Sequence, residues 1–329
     1  TLDVASGATL DFAGLSGSKL IVDSSVVVTG ATDGLIDLSG SIELELEGDI
    51  VWADSIAALN FSGNVTVDDD GSERQFYYAG DDLTLAGDTF ADGVVFQNQG
   101  EVSLTGSSMF EDSIVNSGSM VITTVPSNAN ISASLLGGGT NSGTIELVSN
   151  DGPVDDGASV FVEDSMTLTS TGTIISSGDG DVANAIRVDG NFTGAGGTID
   201  VDQHLDFSIA GAGVIDVTSA TFDIASGESL GFNGFSGSKV ILDSATGFSD
   251  VAGAFVDFRG TTEIELGSDL TWSAADPALT FSGNVTVDDD GNDRTLTYGG
   301  DDLVLPGGTE PNRHGFVSRV QVYSALLED

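Results

Sequence analysis

Apolar and polar residues alternate along this chain in short runs. "KLIV" (19–22), "LIDL" (35–38), "IELEL" (42–46), "VTV" (65–67) and "QFYY" (75–78) open the series. "EVSL" (101–104), "MVIT" (120–123), "TIELV" (144–148), "MTLT" (166–169), "TIDV" (198–201) and "VIDV" (214–217) continue it. Alternation over three to five residues, rich in Val, Ile and Leu, predicts half-buried strands. Gly, Ser, Asn and Asp fill the gaps, as turns require. No stretch holds helical periodicity over a dozen residues; only "RVQVYSALLED" (319–329) is weakly helical.

Strands this short, with a turn every 7–10 residues, predict a coil stacked on itself. In such a solenoid each coil pairs with the next about 4.8 Å along the axis. "NQGEVSL" (98–104), "NSGSMVI" (116–122) and "NSGTIEL" (141–147) share Asn-x-Gly followed by an alternating strand, at spacings of 18 and 25 residues. "STGTII" (170–175), "GAGGTIDV" (194–201) and "GAGVIDV" (211–217) continue the pattern without Asn. The predicted fold is all-β: an elongated parallel β-helix with coils of roughly 18–25 residues, about fifteen coils and a length of about 70 Å.

Residues 1–90 also match 221–310 without a gap, with 44 identities in 90 positions. "FSGNVTVDDDG" is identical at 61–71 and 281–291. Most differences exchange apolar residues of similar size, which a core tolerates. The expected plan is a segment A (1–90), a segment B with the Asn-x-Gly repeats (91–220), a copy of A (221–308) and a tail or cap (309–329). Tandem β-sandwich modules are the alternative, and the equivalent Trp52 and Trp272 favour it, since sandwiches often bury one Trp. Short strands favour the solenoid.

The Asn-x-Gly strand repeats resemble those of exported bacterial β-helix proteins, the autotransporter passengers and filamentous-haemagglutinin-like adhesins. The resemblance spans most of 1–307 and is clearest over 94–217. It implies a right-handed β-helix serving as an extracellular stalk, fibre or adhesin at a cell surface, and names no ligand. The closing "ALLED" (325–329) is similar to a short Leu-Glu motif of giant planctomycete surface proteins, without the Arg that follows there.

Charge narrows the classes. The chain has 52 acidic and 8 basic residues, a formal charge of −44. Phosphate recognition needs clustered Lys and Arg, so nucleic acid is excluded as a partner, and so are anionic membrane surfaces. Divalent cations, salt or basic partners would relieve the self-repulsion. With no Cys there is no disulfide or thiolate metal site. No apolar run approaches the roughly 20 residues of a membrane helix. Starting at Thr1 without a signal peptide, the sequence reads as a processed chain or a piece of a longer one. It begins directly in strand-like "TLDV", so end-to-end association, or continuation into further repeats, is expected to cover that edge.

Candidate chemistry is sparse. Lys19/Lys239 and Arg74/Arg294 recur in both copies and read as structural. His204 and His314 are each alone in the sequence, and no nucleophile elbow, phosphate loop or zinc-helix motif occurs. No enzyme is expected; a polysaccharide-binding or polysaccharide-cleaving β-helix, with a facing carboxylate pair, is the alternative function. The acidic runs are the candidate metal site: Asp68, Asp69 and Asp70 with Asp81 and Asp82, and their copies Asp288, Asp289 and Asp290 with Asp301 and Asp302. Calcium takes six to eight oxygen ligands, which such runs supply if they converge. The competing reading is an Asp-Gly turn between strands. The calcium reading requires Asp81 and Asp82 to lie close to Asp68–Asp70. Tyr77, opposite in face to Phe76 and Tyr78, is the one candidate sugar-stacking aromatic.

Overall fold

The structure is a computed structural model that describes residues 2–4, 7–22, 28–30, 34–53, 57–125, 130–150, 157–179, 182–249, 253–289, 291–292, 294–299 and 303–304. These form strands and turns, with no helix among them. Every strand pairing is parallel, and 31 strands stack into one three-sided solenoid of about 11 turns, with Leu2–Val4/Val28–Gly30 and Leu270–Trp272/Leu296–Tyr298 as separate pairs near its two ends. This is the predicted β-helix, with fewer coils than expected. The sandwich alternative falls, because sandwiches are built from antiparallel pairs.

Each turn contributes a strand to each of three sheets. The first sheet runs through Ala58–Phe61, Leu83–Ala86, Glu101–Gly106, Ser119–Thr123 and Thr144–Ser149 to Thr221–Ile224. The second runs through Asn64–Asp69, Thr89–Phe90, Ser108–Phe110, Ile131–Leu135, Ala158–Val162 and Asn184–Val188 to Leu205–Ile209. The third runs through Arg74–Ala79, Val94–Asn98, Ile114–Asn116, Gly139–Asn141, Thr167–Ser170 and Asn191–Gly194 to Val214–Asp216. Coils range from 18 residues (Asn98 to Asn116) to 29 (Asn141 to Ser170), wider than the expected span. The extra residues leave at corners, where loop length is cheap.

Four strands of 12 or 14 residues far exceed the expected length because they bend around a corner and serve two sheets. They are Thr9–Val22, Leu35–Leu46, Ser229–Leu242 and Phe255–Leu266. In each pair the register shifts at the bend, between Gly14 and Ser18 and between Gly234 and Ser238.

Inward residues form one core from end to end. Phe61, Phe76, Phe90, Phe96 and Phe110 make a contiguous aromatic group in the first half, and Phe192, Phe207, Phe232, Phe258 and Phe281 another in the second. Trp52 and Trp272 lie inside this core. Each indole N–H donates to a carbonyl five residues on, Ala57 at 2.9 Å and Pro277 at 2.7 Å. Their equivalence therefore reflects a repeated corner rather than a sandwich core.

The two copies of A do not face the same way. Ile36 and Val256 are equivalent positions, yet Ile36 lies in the first sheet and Val256 in the second. Following the second sheet from residues 41–46 to 255–258 takes nine steps, and Ile36 lies one face earlier. The duplication of 220 residues thus spans nine and a third turns, about 23.6 residues per turn. At about 4.8 Å per turn, the copies are separated by about 45 Å along the axis and rotated by about 120°.

Candidate functional site

The duplicated acidic run closes the corner between the second and third sheets in the first copy. Asn64–Asp69 ends the second-sheet strand and Arg74–Ala79 begins the third. Each aspartate of the run is engaged locally. The Asp68 carboxylate accepts the N–H of Asp69 at 2.9 Å, and Asp69 accepts that of Gly71 at 2.9 Å, an Asx turn. Asp70 takes the Arg74 guanidinium in a two-pronged contact, Nε at 3.0 Å and Nη2 at 2.6 Å. That contact holds the Asp70 carboxyl below its ordinary range and raises the guanidinium correspondingly. Both groups are at the surface, so the pair serves mainly to fix the turn.

Asp81 and Asp82 are at the next corner, between the third sheet and the first. The six-residue strand Arg74–Ala79 separates the two corners, about 20 Å at 3.3 Å per residue. The structure therefore does not bring the two runs together, and the convergence that the calcium reading required is not met. The Asp82 N–H instead donates to the Tyr78 hydroxyl at 3.0 Å. Tyr78 is fully buried, and burial pushes its phenol up to about 12.

In the second copy Asp288 is exposed, and Asp289 ends the third-sheet strand Asn284–Asp289. Asp290, Asp301 and Asp302 lie outside the described residues, as do His314 and the 309–329 tail. Because of the one-third-turn offset, this corner is on a different edge of the prism from Asp68–Asp70. Among the described residues, no three His, Asp or Glu side chains are grouped to hold a metal ion.

Comparison of the chain with protein-family models, with curated proteins and with solved structures gives no match.

Three features went unseen in the sequence. The Asn-x-Gly repeats build a buried amide ladder. Asn98 donates to the Asn116 side-chain oxygen at 2.7 Å, Asn116 to Asn141 at 2.7 Å, and Asn141 to the Ser170 hydroxyl at 3.1 Å. The spacing marked the corner; only the stacking of coils shows that the amides meet.

The second is Asp88, which is 1% exposed. Its two oxygens accept the N–H groups of Val65 at 2.8 Å and Ala86 at 2.9 Å. Burial nevertheless pushes its carboxyl up to about 7.

The third corrects the view of His204 as solitary. His204, just ahead of the strand Leu205–Ile209, and Asp206 within it lie on the same outer side, with Nε2 3.1 Å from the Asp206 carboxylate. Its Nδ1 meets the Ser229 hydroxyl on the next coil. Arg259, two coils on from Asp206, crosses Gly231 to reach the same carboxylate. Burial alone would raise the Asp206 carboxyl, but His204 and Arg259 outweigh it and hold it below its ordinary range. The serine, histidine and aspartate types recur in hydrolases. Here Asp206 is tied to Arg259 on an outward sheet face, and the cluster reads as a clamp between coils.

Tyr77 is half-buried and bonds the Gln99 side chain on the neighbouring coil. The polar ring edge is thereby spent on another coil–coil contact.

Proposed function

We propose that this chain is a rigid spacer, a stalk or fibre segment exposed at a bacterial cell surface. The observation that carries the reading is the parallel stacking of coil on coil from A through B into the copy of A, around one core. Several outward polar side chains bind the coil above or below. Lys19 bridges Glu43 and Glu45, and Lys239 repeats this with Glu263 and Glu265. Such contacts stiffen a rod. Strong negative charge and the lack of Cys suit an exported, soluble fibre. Calcium, in this reading, acts with other cations on the overall charge.

Two measurements test the proposal. Small-angle scattering should give a straight, elongated particle without a hinge at the segment boundaries. Excision of 99–116, one whole coil joining Asn98 to Ser117, should leave a folded and slightly shorter rod that is still carried at the surface. A hinged particle, or a folded excision variant that loses surface display, would sink the spacer reading.

A further inference from the structure

We infer that the free edge of the strand Thr9–Val22 is the acceptor face for one more parallel β-coil, with the sequence character of residues 198–217. The inference rests on the rod reading above and specifies what the rod stacks on.

The internal duplication supplies the template. Among the described residues, Thr9–Val22 pairs on one side only, with Leu35–Leu46. Its copy, Ser229–Leu242, pairs on both sides: with Phe255–Leu266, and on the other flank with Leu205–Ile209 and Val214–Asp216. The correspondence runs residue by residue. Leu230, the copy of Leu10, stacks on Leu205; Phe232, the copy of Phe12, stacks on Phe207; Val240, the copy of Leu20, stacks on Ile215.

Burial follows the pairing. Leu230, Phe232 and Val240 are 0%, 1% and 0% exposed, whereas Leu10, Phe12 and Leu20 are only partly covered. An apolar cavity opens at this end of the core, lined among others by Phe12, Leu20, Leu38, Leu44 and Trp52. The template also separates the acceptor edge from merely exposed residues. Leu15 and its copy Phe235 project at the corner bulge, 82% and 57% exposed, so pairing on the far flank does not cover that position.

The strand that precedes the acceptor shows the same asymmetry. Among the described residues Leu2–Val4 pairs with Val28–Gly30 alone, but its copy Thr221–Ile224 pairs on the other flank with Thr198–Val201. The match is to the class of residues that ends segment B. Within a folded chain, residues 198–217 are already stacked on both sides, so a second copy of the described solenoid does not offer them.

The test adds a copy of residues 198–220 directly ahead of Thr1, which repeats the Ala220–Thr221 junction. A control graft carries Ser at its copies of Phe207, Ile209 and Ile215. Hydrogen exchange over 9–22, sedimentation and small-angle scattering are compared for the chain and both grafts. The matched graft should slow exchange at 9–22 at least about tenfold in a monomeric rod, and the control graft should not. A matched graft that keeps the rod but leaves 9–22 unprotected overturns the inference. So does an ungrafted chain that already protects 9–22 by self-association, since a second copy is then the occupant. Loss of the rod shape in the ungrafted chain would instead overturn the spacer reading itself.

Discussion

The side-chain amide of Asn98 donates to the side-chain oxygen of Asn116 one coil further on, at 2.7 Å. The second amide hydrogen of each ladder Asn goes to a backbone carbonyl of that next coil, Ser119 for Asn98 and Thr144 for Asn116. The ladder thus satisfies the polar groups of a tight corner that faces inward, where water is excluded. An unpaired buried polar group costs about 1–3 kcal/mol, which explains why these positions hold Asn rather than an aliphatic residue.

Asn116→Ala takes the acceptor from one Asn98 amide hydrogen and removes a donor from both Asn141 and the Thr144 carbonyl. The expected loss is about 3 kcal/mol, read as a lowered urea midpoint. Ser103→Ala, at an exposed strand position, should cost less than about 0.5 kcal/mol. Equal effects from the two would refute the ladder as a stabilising element.

Gly118 follows this ladder, and a Cβ there would run into the backbone carbonyl of Gly100 one coil away. Gly118→Ala should therefore force the coils apart and cost more than about 2 kcal/mol. Gly247 meets nothing closer than 3.7 Å. Gly247→Ala should be neutral or stabilise by up to about 1 kcal/mol, through the unfolded chain. Thermal midpoints of the two variants check this directly.

The contrast between these residues shows what the sequence carried. Period-two alternation and Gly/Asn corners are local, and they predicted the solenoid, its strands and the inward place of Tyr78. What lay between coils was hidden. Nothing in "TIDVDQHLDF" announces that Asp206 meets an Arg 53 residues on, because coil lengths vary and the pairing register is not readable from spacing. The separation of the aspartate runs was hidden for a related reason: ten residues of sequence separation became one full face of the prism. The one-third-turn offset between the copies was equally invisible, since identity of sequence does not fix the face on which a coil begins.

Asp88 sets a pH dependence. Its carboxyl is raised from 3.8 to about 7 by burial, so the folded state favours the neutral form. The stability from that preference is fully present below about pH 4 and is lost as pH rises to about 7, after which it is flat. At about 1.4 kcal/mol per pKa unit, the difference reaches at most about 4 kcal/mol. Asp88→Asn should abolish this slope, leaving a constant offset for the backbone N–H that loses its acceptor. The measurement is stability of both proteins from pH 4 to 8. Parallel curves would refute the assignment.

With a formal charge of −44, added salt should raise the melting temperature by screening repulsion. Since Asp69 already accepts from Gly71 and Asp70 already holds Arg74, calcium and magnesium at equal concentration should act alike. A calcium effect that saturates at sub-millimolar levels and vanishes in Asp68→Asn/Asp69→Asn would instead place an ion at the 68–71 corner.

The Asp206–Arg259 contact makes the most specific demand on a single position. Asp206, Gly231 and Asp257 are in register on three successive coils, and Arg259 reaches from the third to the first across Gly231. A Cβ at Gly231 would collide with the Arg259 guanidinium and the Asp206 carboxylate. In the other copy the equivalents are Asp11 and Ser39, which bond each other at 2.7 Å, so Gly231 accompanies the longer reach of Arg259. Gly231→Ala and Arg259→Gln should each cost about 1–2 kcal/mol, a figure discounted for partial exposure. Because both break the same contact, the double variant should lose little more than either single one. The depressed Asp206 carboxyl adds a sign: its stabilisation holds above the ordinary carboxylate range and disappears as pH falls below about 4, towards its folded value. Arg259→Gln should therefore narrow its deficit in acid. Additive losses, or a deficit unchanged down to pH 3, would show that Arg259 contributes through packing alone.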